Sequence, residues 1–167
     1  MPEVPLPDGY PKANSEANLA LTNNKIIVAR SFDNLSARDM MGHGTAVATV
    51  AAANLHDSPR GKITGAAPKA WIGAYRVGRG TSNAIYTDLV LQAIDAAVED
   101  DMNIINMSFG SIGLTGSADD VIAQAARNAT NRGIIVPMSA GNSGPEIMTI
   151  DDAAADSDVI AVGAAQN

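Results

Sequence analysis

The stretch MGHGTAVATVAAA, Met41 to Ala53, places one histidine between Gly42 and Gly44, directly before a run of Ala, Val and Thr. The glycines are turn-forming and the run that follows is apolar on most faces. The stretch therefore reads as an imidazole at the entry of a buried helix, His43 to about Leu55. The segment before it, KIIVAR (Lys25 to Arg30), is a short β-branched run and reads as a strand. A strand followed by a buried helix is the beginning of an α/β pattern, and the rest of the chain continues it.

WIGAYRV (Trp71–Val77), NIINMS (Asn103–Ser108), GIIVPMS (Gly133–Ser139) and DVIAVGA (Asp158–Ala164) read as further strands. Between them, Ile85, Leu89, Ala93, Ile94, Ala97 and Val98 recur at the helical period. Ser117 with Asp119 and Asp120 caps another helix, whose buried stripe is Val121, Ile122, Ala125, Ala126 and Ala129. Residues 1–24 are rich in Pro, Asn and Ser and read as an irregular lead-in, while His56 to Gly65 reads as a turn-rich loop. Continuous apolar strands alternating with helices predict an α/β fold, a mainly parallel sheet with helices on both faces. No linker or repeat divides the chain, so 1–167 reads as one domain with its α/β core at 25–165.

Composition removes several function classes. Hydrophobic residues are 46% and charged residues 17% of the 167, a globular balance. A net charge of −7 leaves no basic stripe for nucleic acid and disfavours an anionic membrane surface. There is no cysteine, hence no disulfide or thiolate metal site. No apolar run is long enough for a membrane span. The first residues, MPEVPLPDGYPK, lack the basic and apolar regions of a signal peptide.

Functional groups in parallel sheets gather at the carboxyl ends of strands. NMSFGS and MSAGNSGP lie there, and each combines small residues with a directed polar side chain. Together with GHGTAVA, GAAPKAWIGAYRV and DVIAVGA, they resemble, in order, the conserved boxes of the subtilisin-like serine proteases. The similarity runs from about Lys25 to Ala165. It implies a three-layer α/β/α subtilisin-like fold and a peptidase that hydrolyses polypeptides by a Ser/His/Asp mechanism. His43 would be the general base and acid, and Asn142 would donate to the oxyanion. Ser108, Phe109 and Gly110 would bind an extended peptide as an edge strand does. Ser139, Ala140 and Gly141 would wall the slot for the side chain before the scissile bond, and their small size implies a roomy one. The residues themselves leave the compartment open, and the resemblance favours a parent that is secreted or associated with the cell envelope.

The sequence departs from that pattern at two places. It has no Gly-Thr-Ser-Met-Ala box for the nucleophile and no Asp-Thr/Ser-Gly box for the carboxylate. Gly80-Thr81-Ser82 continues with Asn83-Ala84 and precedes the asparagine box, so Ser82 reads as a helix cap rather than a nucleophile. Asp8-Gly9 follows Pro-Leu-Pro instead of an apolar strand, and Asp33 and Asp39 lie on the far side of KIIVAR. The chain thus reads as the middle of a longer catalytic domain, inactive alone. Its unpaired strand edges are expected to drive self-association or a rearranged N-terminal strand. No cofactor is expected. Some family members bind calcium near Leu55–Ile63, but here only Asp57 offers a charged oxygen, beside Arg60 and Lys62. Two other classes fit parts of the sequence. One is a noncatalytic scaffold that keeps the fold. The other is a nucleotide-binding α/β domain, suggested by Gly78-Arg79-Gly80 after a strand but lacking the third glycine.

Overall fold

The computed structural model describes residues 5–81, 84–110 and 118–165. The chain divides into two compact units, Met1–Leu89 and Val90–Asn167.

The first unit is built on β2 (Ile26–Ser31). Its Ile27, Val28 and Ala29 are buried, and β-branched side chains favour the extended backbone. β2 is the middle strand of a parallel sheet, between β1 (Lys12–Ala13) and β5 (Ile72–Arg76). Lys12 pairs with Val28 on one side, and Ala29 with Ala74 on the other. The lead-in is therefore not irregular throughout. β1 is followed by a single helical turn, α1 (Glu16–Leu19), capped by the Ser15 hydroxyl, which accepts from the Asn18 amide at 3.1 Å. Asn18 is 1% exposed; its amide donates to Asn14 at 2.8 Å and to Ser31 at 3.2 Å, and its carbonyl oxygen accepts from the Ala37 amide at 2.7 Å. Asparagines that resemble loop residues are here the polar filling between β1, α1 and β2.

α2 (His43–Ala52) enters from Gly42, whose φ of +83° is left-handed. The expectation of a helix buried on most faces does not hold. Only Ala52 is buried and Val50 is 74% exposed. Ala and Val permit burial, but among the described residues the close packing is confined to the helix's end. There the amides of Ala66, Ala67 and Gly65 donate to the carbonyls of Val50, Ala51 and Ala53 at 3.0, 2.8 and 3.0 Å. These bonds satisfy carbonyls that a helix end leaves open, and they stop α2 three residues before Leu55. The approach requires glycine at 65, since a Cβ there would lie 2.4 Å from the Ala53 nitrogen. The expected loop after α2 is an antiparallel hairpin, β3 (His56–Ser58) and β4 (Gly61–Ile63), turning at Pro59-Arg60. Neither Pro59 nor Arg60 takes a positive φ; Gly61, directly after the turn, does, at +106°, a conformation glycine adopts at no steric cost.

The second unit holds another set of parallel pairings. Segment 103–108 is bridged to the next strand at Ile104–Ile135 and Met107–Met138, and β6 (Pro137–Ser139) pairs with β7 (Ile160–Val162). Ile134, Val136 and Met138 are buried while Ile135 is 51% exposed, a period of two. One face of this sheet is buried, while Ile104 and Ile135 on the other are exposed among the described residues. α3 (Thr87–Glu99) buries Leu89, Ala93, Ile94 and Ala97 of the expected stripe and Val90 besides, and turns Asp88, Asp95 and Glu99 outward; Ile85 lies before the helix and is exposed, and Val98 is half-buried.

α4 (Val121–Thr130) is capped by Asp120, which accepts from the Ala123 amide at 2.8 Å; Ser117 lies outside the described residues. The buried stripe is Ala123, Ala126 and Ala129, not one that includes Val121, which is 48% exposed. The small alanines bring α4 against the 3₁₀ turn Asp152–Ala155, where Ala153 and Ala154 are buried as well. A larger Val would hold the two apart.

Candidate active site

His43 is the first residue of α2 and is exposed. The turn that delivers it is fixed by one carboxylate. Asp39 accepts from the amides of Met41, Gly42 and Thr45, each at 2.8 Å, and from the Thr45 hydroxyl at 2.6 Å. The Thr45 hydroxyl is the largest influence on the Asp39 carboxyl; with the three amides it outweighs burial and holds the group well below the usual carboxylate range. Asp39 was set aside in the sequence because it follows the wrong side of β2. Its position shows a different use, as the anchor of the helix entry at the positive end of α2.

Asp33 is likewise structural. Its side chain is 3% exposed and accepts from the Leu35 amide at 3.1 Å and the Gly80 amide at 2.9 Å. Burial opposes its charge, but the Gly80 and Leu35 amides and the Arg76 guanidinium, 3.5 Å away, leave the carboxyl below its ordinary range. Arg76 also donates to the carbonyls of Ser36 and Gly80, so the pair ties the loop after β2 to the loop after β5.

In the second unit the two expected substrate-facing segments do come together. The Met107 amide donates to Pro137 and the Ser139 amide to Met107, both at 3.0 Å, which sets Ser108–Gly110 beside Ser139–Gly141. The Gly141 amide donates to the Ser139 hydroxyl at 3.2 Å, and Gly141 takes a left-handed φ of +97°. Asn142 follows it and is exposed. His43 belongs to the first unit and Asn142 to the second.

The space between the segments is not the roomy slot that small residues imply, because Asp151 enters it. Its amide donates to Ala140 at 3.2 Å and its side chain lies against both glycines. A Cβ on Gly110 would meet Asp151 Oδ2 at 2.3 Å, and one on Gly141 would meet Oδ1 at 2.7 Å. Asp151 is 6% exposed; burial raises its carboxyl, and the neighbouring Asp152 adds repulsion. No sequence signal pointed to Asp151, which lies nine positions beyond Asn142 in a stretch without a recognised box.

The remaining candidates resolve locally. Asp57 pairs with Lys62 at 2.9 Å, and His56 Nδ1 lies 2.8 Å from the Asn54 carbonyl oxygen. Among the described residues no group of three or more His, Cys, Asp or Glu is placed to hold a metal ion. In the glycine-containing loop, Gly78 bridges Ile85, and Arg79 pairs with Asp88 at 2.8 Å while lying over the Tyr86 ring. Ser82 and Asn83 are outside the described residues. No described helix is long and apolar enough to cross a membrane.

Comparison with known proteins gives a consistent picture. The family model described as "Subtilase family" matches residues 11–167. Subtilisin-like protease SBT4.11 of Arabidopsis thaliana is 37% identical over 134 residues, covering 77% of this chain and 18% of that protein. Subtilisin-like protease SBT1.4 of the same plant is 38% identical over 150 residues, with shares of 74% and 19%. The chain thus spans about a fifth of the length of these curated relatives. Among solved structures, Sphericase superposes with a TM-score of 0.63 at 30% identity, over 85% of this chain and 47% of that one. The family match begins at residue 11, just before β1, so it takes in part of the lead-in as well as the α/β core. The chain, an α/β protein of the subtilisin-like fold, belongs to the subtilase family.

Proposed function

We propose that this chain supplies the histidine base and the oxyanion asparagine of a subtilisin-like serine endopeptidase. What carries the reading is the match to the subtilase family over residues 11–167, which takes in both the histidine and the asparagine segments. In the proposed reaction His43 accepts the proton of a serine hydroxyl as it attacks the scissile carbonyl, then returns it to the leaving amine. The Asn142 amide donates to the oxygen that becomes negative in the tetrahedral intermediate. A peptide lies extended along Ser108–Phe109–Gly110, and its side chain before the scissile bond points between that segment and Ser139–Ala140–Gly141. No step in this scheme uses a metal or an organic cofactor.

These 167 residues contain neither the serine nor the carboxylate box of the family, so turnover is assigned to the full-length gene product and not to this chain alone. The same reading proposes a parent that is secreted or in the cell envelope. The test is hydrolysis of a peptide amide by the full-length gene product and by its His43→Ala variant. Activity abolished by the substitution supports the assignment; an inactive parent with sound folding favours a noncatalytic scaffold. The isolated chain is also proposed to self-associate through strand edges, since β5 pairs only with β2 among the described strands. A monodisperse monomer in size-exclusion chromatography with light scattering contradicts that.

A further inference from the structure

His43 stands between two glycines, Gly42 and Gly44, and glycine leaves a backbone freer than any other residue does. Every residue from Asp39 to Ala46 is exposed, so burial does not hold this turn. Gly42 is also the residue that precedes the helix, and it has no side chain with which to cap it. A base that has to meet a hydroxyl at hydrogen-bond distance is thus mounted on backbone that its own sequence leaves loose.

The Asp39 carboxylate supplies the missing restraint from outside that triplet. Its Oδ1 accepts from the amides of Met41 and Gly42, ahead of His43, each at 2.8 Å. Its Oδ2 accepts from the Thr45 amide at 2.8 Å and the Thr45 hydroxyl at 2.6 Å, beyond Gly44. One planar group therefore grips both ends of Gly42–His43–Gly44. All four bonds come from donors, and a carboxylate offers two acceptor oxygens with no donor of its own. An amide in its place would turn an NH2 toward N–H or O–H groups and release one end. The Thr45 hydroxyl is the largest influence that keeps the carboxyl well below its usual range, so the grip stays ionised wherever an imidazole is a working base.

We propose that Asp39 and Thr45 are positioning residues for His43, a carboxylate and a hydroxyl that act as one clamp and set where the imidazole stands without touching substrate. The assignment rests on the peptidase reading, which makes His43 the base. The test uses the full-length gene product with Asp39→Asn, Thr45→Val, Thr45→Ser and the combined Asp39→Asn and Thr45→Val changes. Each protein is assayed on a peptide amide below the onset of its own thermal melt, so that unfolding does not enter the rate. Asp39→Asn and Thr45→Val are each expected to lower kcat by about 10- to 100-fold with KM nearly unchanged, since a misplaced base costs rate and not binding. Thr45→Ser, which keeps the hydroxyl, retains kcat, and the combined variant loses no more than the worse single one. Unchanged kcat in both single variants, a loss confined to KM, or losses that multiply in the combined variant overturn the proposal and leave the peptidase reading standing. If wild type cleaves no peptide, the peptidase reading falls, and NMR relaxation of carbon-labelled histidine decides the clamp. A His43 ring ordered in wild type and Thr45→Ser but mobile in Asp39→Asn and Thr45→Val supports it; equal ring order in all four overturns it.

Discussion

The carboxylate of Asp39 accepts both the amide and the hydroxyl of Thr45, at 2.8 and 2.6 Å, and so spans the turn that carries His43. Replacing Asp39 by Ala removes these bonds and those from Met41 and Gly42, a capping loss of about 1 kcal/mol measured by urea denaturation. The pH dependence has a definite sign. The folded carboxyl lies below its ordinary value, so its stabilisation is complete above that value and is lost as pH falls through it toward the folded one. The stability difference between wild type and Asp39→Asn is therefore expected to shrink as pH falls below about 4. A difference that grows in acid contradicts this.

Asp151 should behave in the opposite sense. Its carboxyl is raised by burial and by Asp152, so the folded state holds the proton more tightly than the unfolded chain does. Stability is then greatest below the ordinary carboxylate value and declines as pH rises from there through the raised value. Asp151→Asn is expected to be more stable than wild type at pH 7, with the advantage vanishing in acid. Thermal melts of the two proteins at pH 7 and pH 3 check it, and a destabilised variant at neutral pH would be the contrary result.

Arg76 and Asp33 form a buried pair whose members do not fail alike. Arg76→Met strands the Asp33 carboxylate, held by two amides but no cation, and is expected to cost about 3 kcal/mol. Asp33→Asn added to Arg76→Met removes the stranded charge, so the double variant should be the more stable of the two. Equal or lower stability of the double variant in denaturant titrations contradicts this reading of the pair.

Gly65→Ala tests how α2 ends. The added Cβ would sit 2.4 Å from the Ala53 nitrogen, and backbone on both sides has little room to give. The expected loss is about 1–3 kcal/mol, with faster amide exchange at Ala66 and Ala67, whose bonds close the helix. Unchanged exchange at those amides would show that the contact is not needed.

What could be read from the sequence were features that depend on neighbours along the chain. The apolar run at Ile27–Ala29, the period of α3 and the capping acid before α4 are of that kind, and they suffice for a parallel α/β class. What could not be read depended on distant partners. Asn14 and Asn18 look like loop residues until Ser31 and Ala37 supply their hydrogen bonds. The Ala and Val of α2 indicate what can be buried, not what covers it. Asp39 had a readable signal, an acid just upstream of a glycine-led helix start, but the search for a catalytic carboxylate hid it. Asp151 had none, because only tertiary folding sets it against Gly110 and Gly141.

The most direct test of the central assignment is kcat for the full-length gene product carrying Asn142→Ala, measured on a peptide amide beside wild type. The expected result is a fall of about 10²- to 10³-fold with KM nearly unchanged, a magnitude known from subtilisin itself, because the donor acts on charge that appears only in the transition state. Unchanged kcat, or a loss confined to KM, would contradict it.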